Sequence, residues 1–240
     1  MKVLFTFLLF TLSASLYSQE SIEVNYSYKN EFDTSKIEDT SLLNLYKNSN
    51  DKIFYYRLLI NGHEAVFEAI EKIDNSQEKD KPAISGPIGR TYTNLETRES
   101  LAEVEYAGKY IIKDSINGVE WKISRERGIH LGYETRKATY KNDDLSYEAW
   151  FVPSIPLKFG PQGYGNLPGL IVKFTHYFNN QYGNHQRSYI AENITLNAKI
   201  NVGKPTKGKI ISQKAFNKIV EDQNKKFKAV ENNQVQIKID

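Results

Sequence analysis

The chain of 240 residues carries 32 Lys plus Arg against 29 Asp plus Glu, and the cations are dispersed along it. Nucleic-acid binders gather positive charge on one face, so this near balance argues against that class. Cysteine is absent, which excludes disulfides, thiolate metal sites, a Cys nucleophile and the lipid-bearing Cys of a bacterial lipoprotein.

Met1-Lys2 supplies a short positive start, residues 3–12 are apolar, and residues 13–18 turn small and polar. The apolar run is far below the roughly 18–20 residues needed to span a bilayer. A cleaved signal peptide over residues 1–19 is therefore expected, followed by a single β-rich domain over 20–240. A chain of that size builds one substantial core without staples. No later segment is apolar enough to cross a membrane. The expected location is exported, in the periplasm or associated with an outer membrane, and not as a lipoprotein.

Abundant Tyr and Phe favour strands over helices. Ile22, Val24, Tyr26 and Tyr28 alternate with polar residues, a half-buried strand. Residues 52–60 form an apolar run that ends at the turn signal Asn61-Gly62. Residues 64–71 fit a short helix or a strand equally well. The polar, breaker-rich stretch 75–89 reads as a surface loop. Tyr110-Ile111-Ile112 is expected to turn through Asn117-Gly118 into a hairpin with Trp121-Lys122-Ile123. Ile129, Leu131 and Tyr133 alternate towards Tyr140, and Asn142-Asp143-Asp144 closes a turn. Leu145, Tyr147, Ala149 and Phe151 share one face, opposite Glu148, Trp150 and Val152.

Leu170, Val172, Phe174, His176 and Phe178 alternate again, residues 189–196 form a further strand, and a helix starts after the N-cap Ser212. Phe216, Ile219, Val220 and Phe227 give that helix an apolar stripe, while Lys214, Lys218, Lys225, Lys226 and Lys228 read as its solvated face. Val235, Ile237 and Ile239 suggest a last edge strand. The fold expected is mainly β: a curved or folded antiparallel sheet with one C-terminal helix.

Between the strands lies a Pro- and Gly-dense segment, 153–169. Pro153, Pro156, Pro161 and Pro168 lack an N–H, so it cannot sit in the middle of a ladder. Leu167-Pro168-Gly169-Leu170 has the form of a type II turn, with positive φ expected at Gly169. The flanking Leu167, Leu170 and Ile171 imply that the turn is held against the core.

These residues resemble the GLPGLI family of exported Bacteroidota proteins. Its signature stands here as Asn166-Leu167-Pro168-Gly169-Leu170-Ile171, with Asn in place of the leading Gly; Asn tolerates left-handed backbone, so the turn survives. Trp121 with Ile123, Gly132-Tyr133, Lys137-Ala138-Thr139, Ala149-Trp150-Phe151, Ile155-Pro156 and Gly160-Pro161 match the upstream blocks. The resemblance implies export and a β-rich fold, and it implies no defined activity. Pro156, Gly160, Pro161, Leu167, Pro168, Gly169 and Leu170 are its structural motif.

Catalytic signatures are missing. There is no Gly-Lys-Ser/Thr phosphate loop, no His-Glu-x-x-His and no Gly-x-Ser-x-Gly. The four histidines are scattered, although His176 and His185 can meet across a hairpin. Glu148 beside Trp150 is the best acid/base candidate, with His130 or Asp144; the alternative is a salt bridge to Lys137 or Arg136. No cofactor and no metal are expected. Trp150, Phe159 and Tyr164 are candidate binding residues, because aromatics on rigid backbone suit recognition; core packing is the other role open to them. The function expected is a non-enzymatic binding or accessory protein for an outer-membrane or periplasmic partner, using the 153–169 segment or an open sheet edge. A carrier of an apolar lipid or peptide ligand in a curved sheet is the alternative, and a hydrolase using Glu148 stands behind both.

Overall fold

The computed structural model describes residues 21–70, 82–84, 86, 89–116, 118–142 and 145–237, with side chains as far as Lys225. The expected signal peptide, most of the 75–89 stretch, Asn117 and Asp143-Asp144 lie outside it. In chain order the elements are β1 (Ser21–Phe32), α1 (Thr40–Asp51), β2 (Ile53–Asn61), β3 (Glu64–Ala69), β4 (Arg90–Asn94), β5 (Glu99–Glu105), β6 (Lys109–Ser115), β7 (Lys122–His130), β8 (Tyr133–Lys141), β9 (Ser146–Val152), β10 (Leu170–Asn180), β11 (Gly183–Leu196), β12 (Lys209–Ser212) and α2 (Gln213–Ile237).

The strands form one sheet in the order β12-β6-β5-β4-β3-β2-β1-β11-β10-β9-β8-β7. It consists of two antiparallel meanders hinged on β1, which pairs with β2 on one side and β11 on the other. The alternation in β1 decides why it is central. Ile22, Val24, Tyr26, Tyr28 and Phe32 are all buried on one face, and a strand with that much apolar surface is most stable between two neighbours. The expected mainly β sheet with a C-terminal helix is what forms, with one parallel pair, β6 with β12, at its end.

The sheet must curl. β6 and β7 are consecutive in the chain but ten strand positions apart in the sheet. At ~4.8 Å per position a flat sheet would separate them by about 48 Å, whereas the seven residue steps from Ser115 to Lys122 reach at most about 25 Å. Only a strongly curved sheet satisfies both. The expected hairpin over 110–123 is therefore wrong. Tyr110, Ile111 and Ile112 pair with β5 and β12, and Lys122 and Ile123 pair with β8.

Other expectations are also revised. The ambiguous 64–71 stretch holds the strand β3, because its residues complete the Asn61-Gly62 hairpin with β2. Residues 129–140 are not one strand: Leu131 and Gly132 both take positive φ, 50° and 80°, and turn β7 back into β8. The C-terminal strand does not form at 235–237, where α2 continues. The sequence reading passed over α1. Its start signal is Asp39, whose carboxylate accepts from the Leu42 N–H at 2.7 Å.

Ser212 does cap α2, accepting from the Ala215 N–H at 3.2 Å, and Phe216 packs on Tyr106 and Tyr110. Lys214, Lys218 and Lys225 lie on its exposed side. The main core lines the concave face, where Tyr26, Phe67, Phe151, Phe159, Leu167, Ile171 and Phe174 are buried together. A second cluster, Val66, Tyr92, Leu101 and Ile111, lies under Val202 of the 197–208 connection. A third joins α1 to the far end of the sheet through Phe32, Ile37 and Tyr46.

Candidate ligand cavity on the concave face

The Pro/Gly segment leaves β9 at Val152 and returns as β10 at Leu170, and between them it lies against the inner surface of the sheet. Its backbone is held by the Ile171 N–H to Phe159 O at 3.0 Å, the Leu170 N–H to Ile155 O at 2.9 Å and the Asn166 N–H to Lys158 O at 3.1 Å. Two side chains reach it from elsewhere: Tyr26 donates to Ile171 O at 2.6 Å, and the Trp121 indole donates to Gly165 O at 2.8 Å. At its tip, one turn of 3-10 helix over Pro161–Gly163 reaches β4, where a Cβ on Gly163 would stand 3.5 Å from Thr93 Oγ1. The segment is thus a strap across the hollow of the sheet.

The expected positive φ at Gly169 is not found. Left-handed backbone falls instead at Asn166, φ 68°, in the place of the leading Gly of the resembled signature, and at Gln162 and Gly163. Asn carries that conformation as expected. Gly169 is required for a different reason. A Cβ there would lie 2.3 Å from Val152 O and 2.7 Å from Val152 C, so the β9 backbone occupies the space of a side chain. Leu167, Leu170 and Ile171 are buried in the core, as their apolar character implies.

The three candidate binding residues separate. Phe159 is 4% exposed and sits in the core, so it has no face to offer a partner. Trp150 is half-buried on the opposite face of β9, its indole donating to Glu148 Oε1 at 2.9 Å with the Lys137 ammonium 5.8 Å from the ring. Tyr164 alone turns into the hollow. It stacks on Phe174 at 4.1 Å, and its hydroxyl lies 3.4 Å from that of Tyr147.

Beside Tyr164 the concave face opens into a cavity of about 300 Å³. Tyr28, Phe174 and Tyr189 form its aromatic wall, Gly86 and Gln162 its rim, and His176 and Arg187 its polar end. Strand register assembles these residues. Tyr28 and Phe174 both pair with Tyr189, and His176 pairs with Arg187, so three adjacent strands point them to one face. The described part of the 75–89 stretch closes one side, with the Asn30 amide donating to Ile84 O at 2.8 Å.

The polar end is unusual. The Tyr189 hydroxyl, His176 Nε2 and Arg187 Nε are all shielded from solvent and have no hydrogen-bond partner among the described residues. Folded proteins rarely leave such groups unpaired, and each costs on the order of 1–3 kcal/mol. Arg187 lies 4.7 Å from the centre of the Phe178 ring and 5.7 Å from that of Phe32, with no carboxylate paired to it among the described residues. Burial, and then the Arg187 charge, pushes the His176 pKa down. Burial raises those of Tyr164 and Tyr189.

His185 is not part of this opening. Its Nδ1 accepts from the Asp33 N–H at 3.0 Å, and its Nε2–H donates to Asn180 Oδ1 at 2.8 Å, which selects the neutral tautomer. The β10–β11 hairpin forms as expected, but His185 pairs with Phe178 rather than His176. Among the described residues no cluster of potential ligands could hold a metal ion. Glu148 is engaged by Lys137 at 3.1 Å as well as by Trp150, and His130 donates to Ala191 O at 2.7 Å, so these two have other partners, while Asp144, the other candidate, lies outside the described residues.

Arg187, Tyr189 and Tyr28 were not singled out from sequence as site residues. A signal existed: Arg187 stands in the same alternating register as the buried His185 and Tyr189, which puts a cation on the inward face of a strand.

A family model described as a protein of unknown function, Porph_ging, matches residues 105–173. The match covers the Pro/Gly strap and the strands leading to it. No curated protein matches the chain in sequence. Among solved structures, two crystal forms of PNGF-II are similar in fold: TM-scores 0.54 and 0.53, 17% identity in each, 84% of this chain covered in each. The chain spans about a third of their length, 32% and 33%. A LolA superfamily protein, NE2245 from Nitrosomonas europaea, aligns over 77% of this chain and 89% of its own at 9% identity, with a TM-score of 0.31.

Proposed function

We propose that this protein is an exported, GLPGLI-type envelope protein that acts by binding a small ligand on the concave face of its sheet rather than by catalysis. One observation carries the reading: an aromatic cavity of about 300 Å³ into whose lining three unpartnered polar atoms are built. Pockets of this size with aromatic walls and a few convergent polar groups are typical small-molecule sites. The neighbouring chemistry favours binding, since Glu148 is tied down on the other face of β9 and the described lining residues include no carboxylate and no Ser or Thr hydroxyl. The accessory role follows from binding: the ligand is presented to, or taken from, an outer-membrane or periplasmic partner.

Native mass spectrometry of protein purified from its own envelope tests this. A bound small molecule at one per chain, lost in Tyr164→Ala, is the expected result. Protein that is uniformly free of ligand, and that no envelope extract stabilises against heat, would refute it.

A second reading has its own observation. The edge strand β7 exposes Ile129, 80% accessible, and Ile123, which suits addition of a partner's strand. Crosslinks from β7 to one envelope protein, abolished by Ile129→Lys, would support that mode.

A further inference from the structure

We propose that the cavity is built for an organic anion, a carboxylate or phosphate carried on a flat or apolar body, with Arg187 as its charge partner; this rests on the binding function above.

The geometry at Arg187 is the starting point. A guanidinium is always charged and presents only donors. Here the Phe178 and Phe32 rings lie 4.7 and 5.7 Å from it and shield it on one side, and they offer its N–H groups no oxygen. A half-buried cation ordinarily recruits a carboxylate, yet none is within ion-pair distance among the described residues, and Nε has no acceptor. The remaining demand is for negatively charged oxygens.

The neighbours set the same requirement. Tyr189 is 2% exposed, and its hydroxyl has a proton to donate and no acceptor among the described residues. His176, opposite Arg187 in register, has an unpartnered Nε2 that donates in the appropriate tautomer. Tyr28 is already committed, its hydroxyl donating to Asn30 Oδ1 at 2.8 Å, so it supplies a ring face and no competing donor. Three side chains with donors that lack an acceptor among the described residues therefore line one end of the cavity, and a ligand there is asked to supply acceptors. A neutral apolar ligand would leave all three unpaired, and a cation would meet Arg187.

The other end sets the body of the ligand. Tyr164 stacked on Phe174, with the Tyr28 ring 4.7 Å from Tyr189, offers aromatic faces and little hydrogen bonding. Flat rings stack there, and a short acyl chain also fits such a wall. Free aromatic acids and the acid heads of acyl chains share this chemistry, and the probes below separate them.

The test is calorimetric titration of the purified protein with 2-naphthoate, its neutral isostere 2-naphthamide, 2-naphthyl phosphate and decanoate. A saturable site for at least one anion is expected, with the amide roughly tenfold or more weaker, as the loss of a charge-assisted contact predicts. Arg187→Met keeps the apolar stem and should weaken the anions by a similar factor while leaving the amide unchanged. Should that variant fold poorly, Tyr189→Phe keeps the ring, removes one donor and should weaken the anions several-fold. Tighter binding of decanoate than of naphthoate assigns the site to acyl acids, and the reverse order to aromatic ones. Equal binding of amide and naphthoate, indifferent to both variants, would overturn the anion assignment and leave the binding function standing. Failure of all four probes overturns the anion assignment as well; whether the binding function falls with it is read from the native mass spectrum, where a neutral bound molecule keeps it and an empty cavity removes it.

Discussion

Two halves of the same concave face are built to opposite standards. Under the strap the packing is closed and polar groups are paired: the buried Tyr26 hydroxyl finds Ile171 O, and the strap carbonyls of Phe159, Ile155 and Lys158 each receive an N–H. A few residues along the same strands, Tyr189, His176 and Arg187 keep buried polar atoms without partners among the described residues. Both halves come from the same alternation in β1, β10 and β11. The difference shows that the sheet can satisfy its inward polar groups, and that it does not do so at the cavity.

The largest effect should come from closing the strap against its strand. Gly169→Val drives a side chain into the Val152 carbonyl, and a loss of ~3 kcal/mol or more is expected, with failure to accumulate folded protein. Gly203→Ala, where a Cβ meets nothing within 4 Å, should be harmless. Urea unfolding of both variants measures the contrast, and equal midpoints would show that the strap does not pack on β9 as described.

Next in size is a matched pair of tyrosines. Tyr26→Phe strands the buried Ile171 carbonyl and should cost about 1–3 kcal/mol. Tyr189→Phe removes a hydroxyl that has no partner among the described residues, so the ligand-free protein should keep its stability or gain some. A destabilised Tyr189→Phe would mean that this hydroxyl is satisfied and that the two halves do not differ.

Acid should act mainly through the two inward histidines. Burial lowers the pKa of both; Arg187 adds to that effect, and Asp33 opposes it at His185. A histidine with a lowered folded pKa contributes stability that is complete above the unfolded value of about 6.5 and is lost as pH falls below it. Thermal midpoints should drop from pH 7.5 to pH 5.5, and the drop should shrink in His176→Gln. A flat profile would show that neither ring is held neutral.

The smallest effect belongs to the outer face of β9. Glu148→Gln breaks a partly exposed pair with Lys137, and exposed pairs contribute roughly 0–1 kcal/mol. Stability should shift by no more than that, and ligand binding in the cavity should not change.

Much of the fold was legible because strand formation here is local. The alternation of β1, the Asn61-Gly62 turn, the Ser212 cap and the inward Leu167, Leu170 and Ile171 each follow from neighbours within a few residues. Less of the site could be read. Of the three candidate binding residues, Tyr164 lines the cavity, Phe159 sits in the core and Trp150 lies on the opposite face of the sheet. Side-chain alternation says that two residues differ in face; it does not say which face is hollow.

By itself the sequence determined the class of the protein: β-rich, free of cysteine, with a rigid Pro/Gly segment pressed into its core and Asn166 able to take the left-handed backbone there. Only the tertiary structure decided which strands become neighbours. Joining β1 to β11 and parting β6 from β7 are choices between residues far apart in the chain, and they depend on loop closure and whole-sheet curvature rather than on local preference. Those same long-range pairings bring Tyr28, His176, Arg187 and Tyr189 together around one cavity.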